Sequence, residues 1–149
     1  MILYVRGYVK HIIQEQKTLT IELANCTHGC NKCNNKTRCE NIGQPLTQKV
    51  LNAAIDIFKR QIDVICFVGG EEEQQELIHL CEDVHKHGFK TAMSTAYYDV
   101  SMLNKKLVDE LDYVLLGRCD ETRTILKKDY CPFADATDWI EIKNTNIRA

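Results

Sequence analysis

Cys26, Cys30 and Cys33 stand in the run Cys26-Thr27-His28-Gly29-Cys30-Asn31-Lys32-Cys33, a CxxxCxxC spacing that gathers three thiols into one short loop. Thiolates are soft ligands suited to iron–sulfur centres. Ferredoxin-type [4Fe-4S] clusters take four of them, so a set of three leaves one iron free to bind a substrate or cofactor. An open coordination position is a place for chemistry, as the contrast between catalytic and structural zinc sites illustrates. Gly29 lets the loop wrap closely around such a centre. Two other readings stay open at this point. Zinc would be held in a closed tetrahedron if Cys39, His28 or a distant residue supplied the fourth ligand, although the paired CxxC motifs of many zinc sites are missing. Cys39 could instead close a four-thiolate cluster and make the chain an electron carrier; the five residues before it, Lys36 and Arg38 among them, read as a solvated loop.

The other cysteines carry less. Cys66 falls in an apolar strand and Cys81 on a helix, where a free thiol behaves as a small hydrophobe, and Cys119 and Cys131 lie in a polar tail. Glu71, Glu72 and Glu73 complement the positive end of a helix, as His85, Lys86 and His87 complement the opposite end of the same one.

The elements that must position these residues alternate. Tyr4 to Val9 and Thr18 to Leu23 read as strands of a hairpin around the polar Gln14-Glu15-Gln16-Lys17. After the cysteine loop, Pro45 and Thr47 open a helix with Leu46, Val50, Ala54, Ile57 and Phe58 at helical spacing, ending near Gln61. Val64 to Val68 is an apolar run of the kind that is covered on both faces of a parallel sheet, stopped by Gly69-Gly70. A second helix starts in Glu71-Glu72-Glu73 and stops at Gly88. Phe89 to Thr95 reads as a strand and Val100 to Leu111 as a helix with Leu103, Leu107 and Leu111 on one stripe. Tyr113 to Leu116 closes as a strand at Gly117, and Trp139-Ile140-Glu141-Ile142 resembles one more. This order predicts an α/β fold with a mostly parallel sheet, a small partial (β/α) barrel in one domain spanning residues 1–149, since an eight-fold barrel needs more chain. In such sheets ligands sit at the carboxyl ends of the strands. The cysteine loop, Gly69-Gly70-Glu71 and Ser94-Thr95 all fall at strand ends of that kind.

With 19 basic and 21 acidic side chains the net charge is −2, so no global charge advertises nucleic acid or an anionic membrane as a partner. No apolar run approaches the roughly 20 residues that span a bilayer, and the first residues do not read as a signal peptide. Eight cysteines in a chain of this kind point to the reducing cytoplasm and to metal rather than to disulfides.

CxxxCxxC after the first long strand, Gly-Gly-Glu after the second and the short chain together resemble the radical S-adenosyl-L-methionine (SAM) enzymes. Within them the sequence is most similar to the activating proteins of anaerobic, class III ribonucleotide reductases. Their cluster loop often ends in Cys-His-Asn, here Cys33-Asn34-Asn35; Thr95-Ala96-Tyr97 is similar to their Thr-Gly-Tyr, and Asp112 to Arg118 to their Asp-Val-Leu-Val-Asp-Gly-Lys. The resemblance covers about Thr18 to Arg118. It implies a [4Fe-4S] cluster on Cys26, Cys30 and Cys33 with SAM on the open iron. Lys32, Asn35, Gly69, Gly70, Glu71, Ser94 and Thr95 would contact SAM, Glu71 receiving its ammonium and the two hydroxyls its ribose. It further implies reductive cleavage of SAM to methionine and a 5′-deoxyadenosyl radical, which removes hydrogen from a glycine of the partner, an anaerobic ribonucleoside-triphosphate reductase. A flavodoxin-like or other low-potential donor would supply the electron. The chain departs from that group where Lys32 replaces an aromatic residue, Glu72 a proline and Ala96 a glycine. A segment like Asp-Gly-Pro-Gly before the cluster strand is replaced by Ile13-Gln14-Glu15-Gln16.

Overall fold

The structure, a computed structural model, describes residues 1–13, 16–24, 43–97, 99–116 and 140–142. Three thiols of the cysteine loop, with Lys32, Asn35 and Cys39, lie outside the described residues, as do Gly117, Cys119, Cys131 and Trp139. The strands are β1 (Leu3–Ile13), β2 (Gln16–Leu23), β3 (Gln44–Pro45), β4 (Val64–Val68), β5 (Lys90–Ser94), β6 (Tyr113–Leu115) and β7 (Ile140–Glu141). The helices are α1 (Gln48–Phe58), α2 (Gln74–Lys86) and α3 (Lys105–Asp109). The strands form one sheet in the order β3-β1-β2-β4-β5-β6-β7. β2, β4, β5 and β6 run parallel through its middle, and the antiparallel pairs lie towards its two edges.

The expected α/β fold with a parallel sheet is the fold observed. β4 is buried at every residue, which is why its sequence is apolar without alternation. β2 alternates instead. Leu19, Ile21 and Leu23 join Ile65, Phe67, Met93 and Val114 in the core beneath the helices, with Leu51, Ile55, Leu77, Cys81, Leu107 and Leu111. Val64, Cys66, Val68, Ala92 and Leu115 form a second cluster with Ile13. The row Glu22, Val68, Ser94, Leu115 runs straight across the four parallel strands near their carboxyl ends.

Two helices differ from expectation. Thr47 caps α1, its hydroxyl accepting from the Val50 N–H at 3.2 Å, but Pro45 belongs to β3 and pairs with Leu3. The buried stripe of α1 is Leu51 and Ile55, with Ala54 and Phe58 packed against the core, whereas Val50 is 36% and Ile57 70% exposed. Leu51, Ala54, Ile55 and Phe58 satisfy the i, i+3, i+4, i+7 rule, but so do Val50, Ala53, Ala54 and Ile57, and the stripe with the larger side chains is the one that faces the core. The segment 100–111 is not one helix. A 3-10 turn, Val100–Met102, ends where Leu103 turns extended at φ −90° and ψ 154°, and α3 starts afresh under the Asn104 cap. Leu103, Leu107 and Leu111 are nevertheless all buried.

α2 stops where Gly88 adopts φ +85°. Near its end His85 faces two carboxylates, Nδ1 lying 3.1 Å from Glu110 Oε1 and Nε2 3.2 Å from Asp112 Oδ2, which ties α2 to the turn between α3 and β6. None of the described helices is long and apolar enough to cross a membrane.

Candidate active site at the carboxyl edge of the sheet

Three strand ends meet in register. Ala24, the last described residue before the cysteine loop, is pinned by its N–H to Leu3 O at 2.8 Å. Beside it the Gly69 N–H donates to Ser94 O at 2.9 Å, and the Thr95 N–H to Leu115 O at 2.9 Å, so sheet bonding runs one residue beyond β4 and β5. The start of the cysteine loop, Gly69-Gly70-Glu71 and Ser94-Thr95 therefore share one edge.

The turn after β4 explains its glycines. Gly70 has φ +92°, and a Cβ there would lie 3.0 Å from a methyl of Leu77 and 3.1 Å from one of Leu23. This close approach is to the core below, so the small residue lets β2, the turn and α2 pack together. Glu71–Glu73 forms a 3-10 turn leading into α2, closed by the Glu73 N–H on Gly70 O at 3.1 Å. Gln74 spans the same region: its Nε2 donates to Glu71 O at 3.1 Å and its Oε1 accepts from the Asn104 N–H at 2.7 Å.

Glu71 is the chemical centre of this edge. It is 9% exposed, and its Oε2 accepts from the Thr95 hydroxyl at 2.7 Å and from the Ala96 N–H at 2.9 Å. The Thr95 oxygen itself accepts from the Tyr97 N–H at 3.2 Å. A buried carboxylate needs donors of this kind, and two of them fix its orientation. Tyr97 sits close by: burial first, then the Glu71 and Glu72 charges, raise its phenol above the ordinary value. Ser94, also buried, lies on the sheet face opposite the helices with Ala92.

Sequence reasoning missed one pair at this edge. Glu22, the penultimate residue of β2, is 1% exposed, and Arg6 Nε donates to its Oε2 at 2.8 Å. The signal was present in Thr18, Thr20 and Glu22, three polar residues at period two opposite an apolar face, for such residues are either solvated or buried with purpose. All three are buried.

The sequence matches the family described as the 4Fe-4S single cluster domain over residues 17–131, most of the chain and the whole of the cysteine loop. The chain belongs to that family. The fold of this 4Fe-4S domain is similar to the crystal structure of QueE from Escherichia coli, with a TM-score of 0.52 at 13% identity, over 78% of this chain and 71% of that one. No curated protein matches the sequence.

Within the described residues Cys66 and Cys81 are both buried, and no group of three or more His, Cys, Asp or Glu is arranged to hold a metal. Glu71 offers an ordered, buried carboxylate at the end of the strand next to β2, which leads into the cysteine loop, and a carboxylate of this kind can receive an ammonium group.

Proposed function

We propose that the protein is a radical SAM enzyme, and within that class an activating protein that places a glycyl radical on an anaerobic ribonucleoside-triphosphate reductase. The observation that carries the reading is the buried Glu71 carboxylate on a Gly-Gly-Glu turn beside the start of a three-cysteine loop, in a chain of the 4Fe-4S single cluster family. The class is supported by family and fold together; the reductase as partner rests on the resemblances at Cys33-Asn34-Asn35, Thr95-Ala96-Tyr97 and Asp112 to Arg118.

On this reading Cys26, Cys30 and Cys33 hold the cluster, Glu71 receives the ammonium of SAM and the Ser94-Thr95 end of β5 borders the nucleoside. When bound, cluster and SAM supply one-electron reductive cleavage of a carbon–sulfur bond, the electron coming from a flavodoxin-like or other low-potential donor in the cytoplasm. The protein's share is placement. The ordered carboxylate fixes one end of the ligand, and the packed strand ends keep water from the reacting atoms.

The test is anaerobic reconstitution with iron and sulfide, reduction, and measurement of 5′-deoxyadenosine and of the electron paramagnetic resonance spectrum with and without SAM. The expected result is a SAM-altered cluster signal and 5′-deoxyadenosine, followed by a glycyl radical signal when the reductase is added. SAM cleavage without that last signal would move the protein to another substrate. A cluster indifferent to SAM would leave an electron-transfer module, and one zinc per chain a zinc-binding one.

A further inference from the structure

Glu71 and Thr95 join two segments 24 residues apart in sequence, and on the radical SAM reading, on which this inference rests, those segments meet opposite ends of one ligand. The bond is buried on both sides, with Thr95 2% and Glu71 9% exposed. The arrangement is a chain of donors and acceptors. The Tyr97 N–H donates to Thr95 Oγ1, the Thr95 O–H donates to Glu71 Oε2, and the Ala96 N–H donates to the same carboxylate oxygen. One hydroxyl thus takes part in orienting the carboxylate and in holding the backbone after β5.

We propose that Thr95 is a positioning residue whose hydroxyl couples the Gly69–Glu71 turn to the Ser94–Tyr97 segment, so that capture of the amino-acid end of SAM and of its nucleoside end are cooperative. An ammonium drawn to Glu71 restricts the motion that the carboxylate, already held by two donors, still keeps. Through Thr95 it also orders the backbone that borders the nucleoside, whose binding then costs less conformational freedom. The coupling is reciprocal by necessity. The hydroxyl is the component that can be removed without changing side-chain volume, because Thr and Val are nearly the same shape.

The experiment has two arms. In the cluster-free protein, amide hydrogen exchange at Ala96 and Tyr97 should quicken in Thr95→Val and remain close to wild type in Thr95→Ser; should Val fail to fold, Thr95→Ala serves. In the reconstituted protein, methionine should tighten 5′-deoxyadenosine binding by roughly tenfold, within the usual range of coupling between sites. That factor should fall towards one in Thr95→Val and persist in Thr95→Ser. Unchanged exchange in Thr95→Val would show that the tie is absent in solution and overturn the proposal. Equal coupling in wild type and Thr95→Val would overturn it as well, with the tie intact but idle. If SAM leaves the cluster spectrum of the wild type unaltered, the radical SAM reading fails and the coupling with it, while the exchange arm still reports whether the tie exists.

Discussion

Gly70 meets two demands at once, a positive φ of +92° and space for the methyls of Leu23 and Leu77, whereas Gly88 meets only the first, since nothing lies within 4 Å of where its Cβ would be. Gly88→Ala should cost about 1–2 kcal/mol, the ordinary penalty for an L-residue in the left-handed region. Gly70→Ala should cost more, about 2–4 kcal/mol, because two leucines must also shift in a packed core. Urea unfolding of both variants checks this, and equal losses would show that packing at Gly70 contributes nothing. The two described cysteines make the opposite case. Burial pushes the Cys66 thiol far above its ordinary value, a hydrogen bond with the Ser94 backbone offsetting only part of the shift, and the thiolate is the reactive form. Cys66 and the equally buried Cys81 should stay unalkylated by iodoacetamide until the protein unfolds. Cys30→Ala should abolish the cluster, read from its visible absorbance, while Cys66→Ala keeps it at a cost of about 1 kcal/mol for the small cavity.

Capping decides where the short elements begin. Asn104 Oδ1 accepts from the Lys106 N–H at 2.9 Å and starts α3, so Asn104→Ala should destabilise by about 1 kcal/mol in thermal or urea unfolding. Asp99 accepts from the Ser101 N–H at 2.9 Å, and hydrogen bonds from Ser101 hold its carboxyl below the ordinary carboxylate value. A carboxyl lowered by folding adds stability above its unfolded value and loses it as pH falls through the folded one. A carbon-13 titration should therefore place Asp99 below the usual carboxylate range, and Asp99→Asn should remove this dependence on acid. These caps also show what was legible in the sequence. The parallel sheet was legible because Val64 to Val68 has no polar residue and because Gly69, Gly70 and Gly88 mark stops that few other residues allow. The break inside 100–111 was not, because Leu103, Leu107 and Leu111 keep helical spacing while Leu103 itself is extended. The stripe of α1 was misread for a related reason: Val50 and Ile57 are apolar, and only the packing of Leu51 and Ile55 reveals which side faces inward. At the candidate site the Gly-Gly-Glu pattern singled out Glu71 as a candidate, but not that Thr95 holds it, since nothing local links positions 24 residues apart.

The described residues pack into an apolar core of their own, and that core makes a claim about the cluster. In small zinc domains the metal is the core, and apo chains are unfolded. Here, among the described residues, Leu19, Ile21, Leu51, Ile55, Ile65, Phe67, Leu77, Met93, Leu107 and Val114 pack the sheet against its helices as one apolar cluster. The strand ends are pinned by the backbone as well: Ala24 to Leu3 on one side of the loop, and Leu46 N–H to Ile2 O at 2.8 Å on the other. Both described flanks of the loop therefore hold by backbone bonds to the amino-terminal segment. Removing the cluster with a chelator under reducing conditions should leave the far-ultraviolet circular dichroism nearly unchanged and the amides of β2, β4 and β5 protected from exchange. SAM binding should be lost. The reverse pattern, a sheet that melts as the cluster leaves, would mean that the cluster sustains the fold, and an iron centre spent on structure is a poor candidate for the open coordination position on which the proposed catalysis depends.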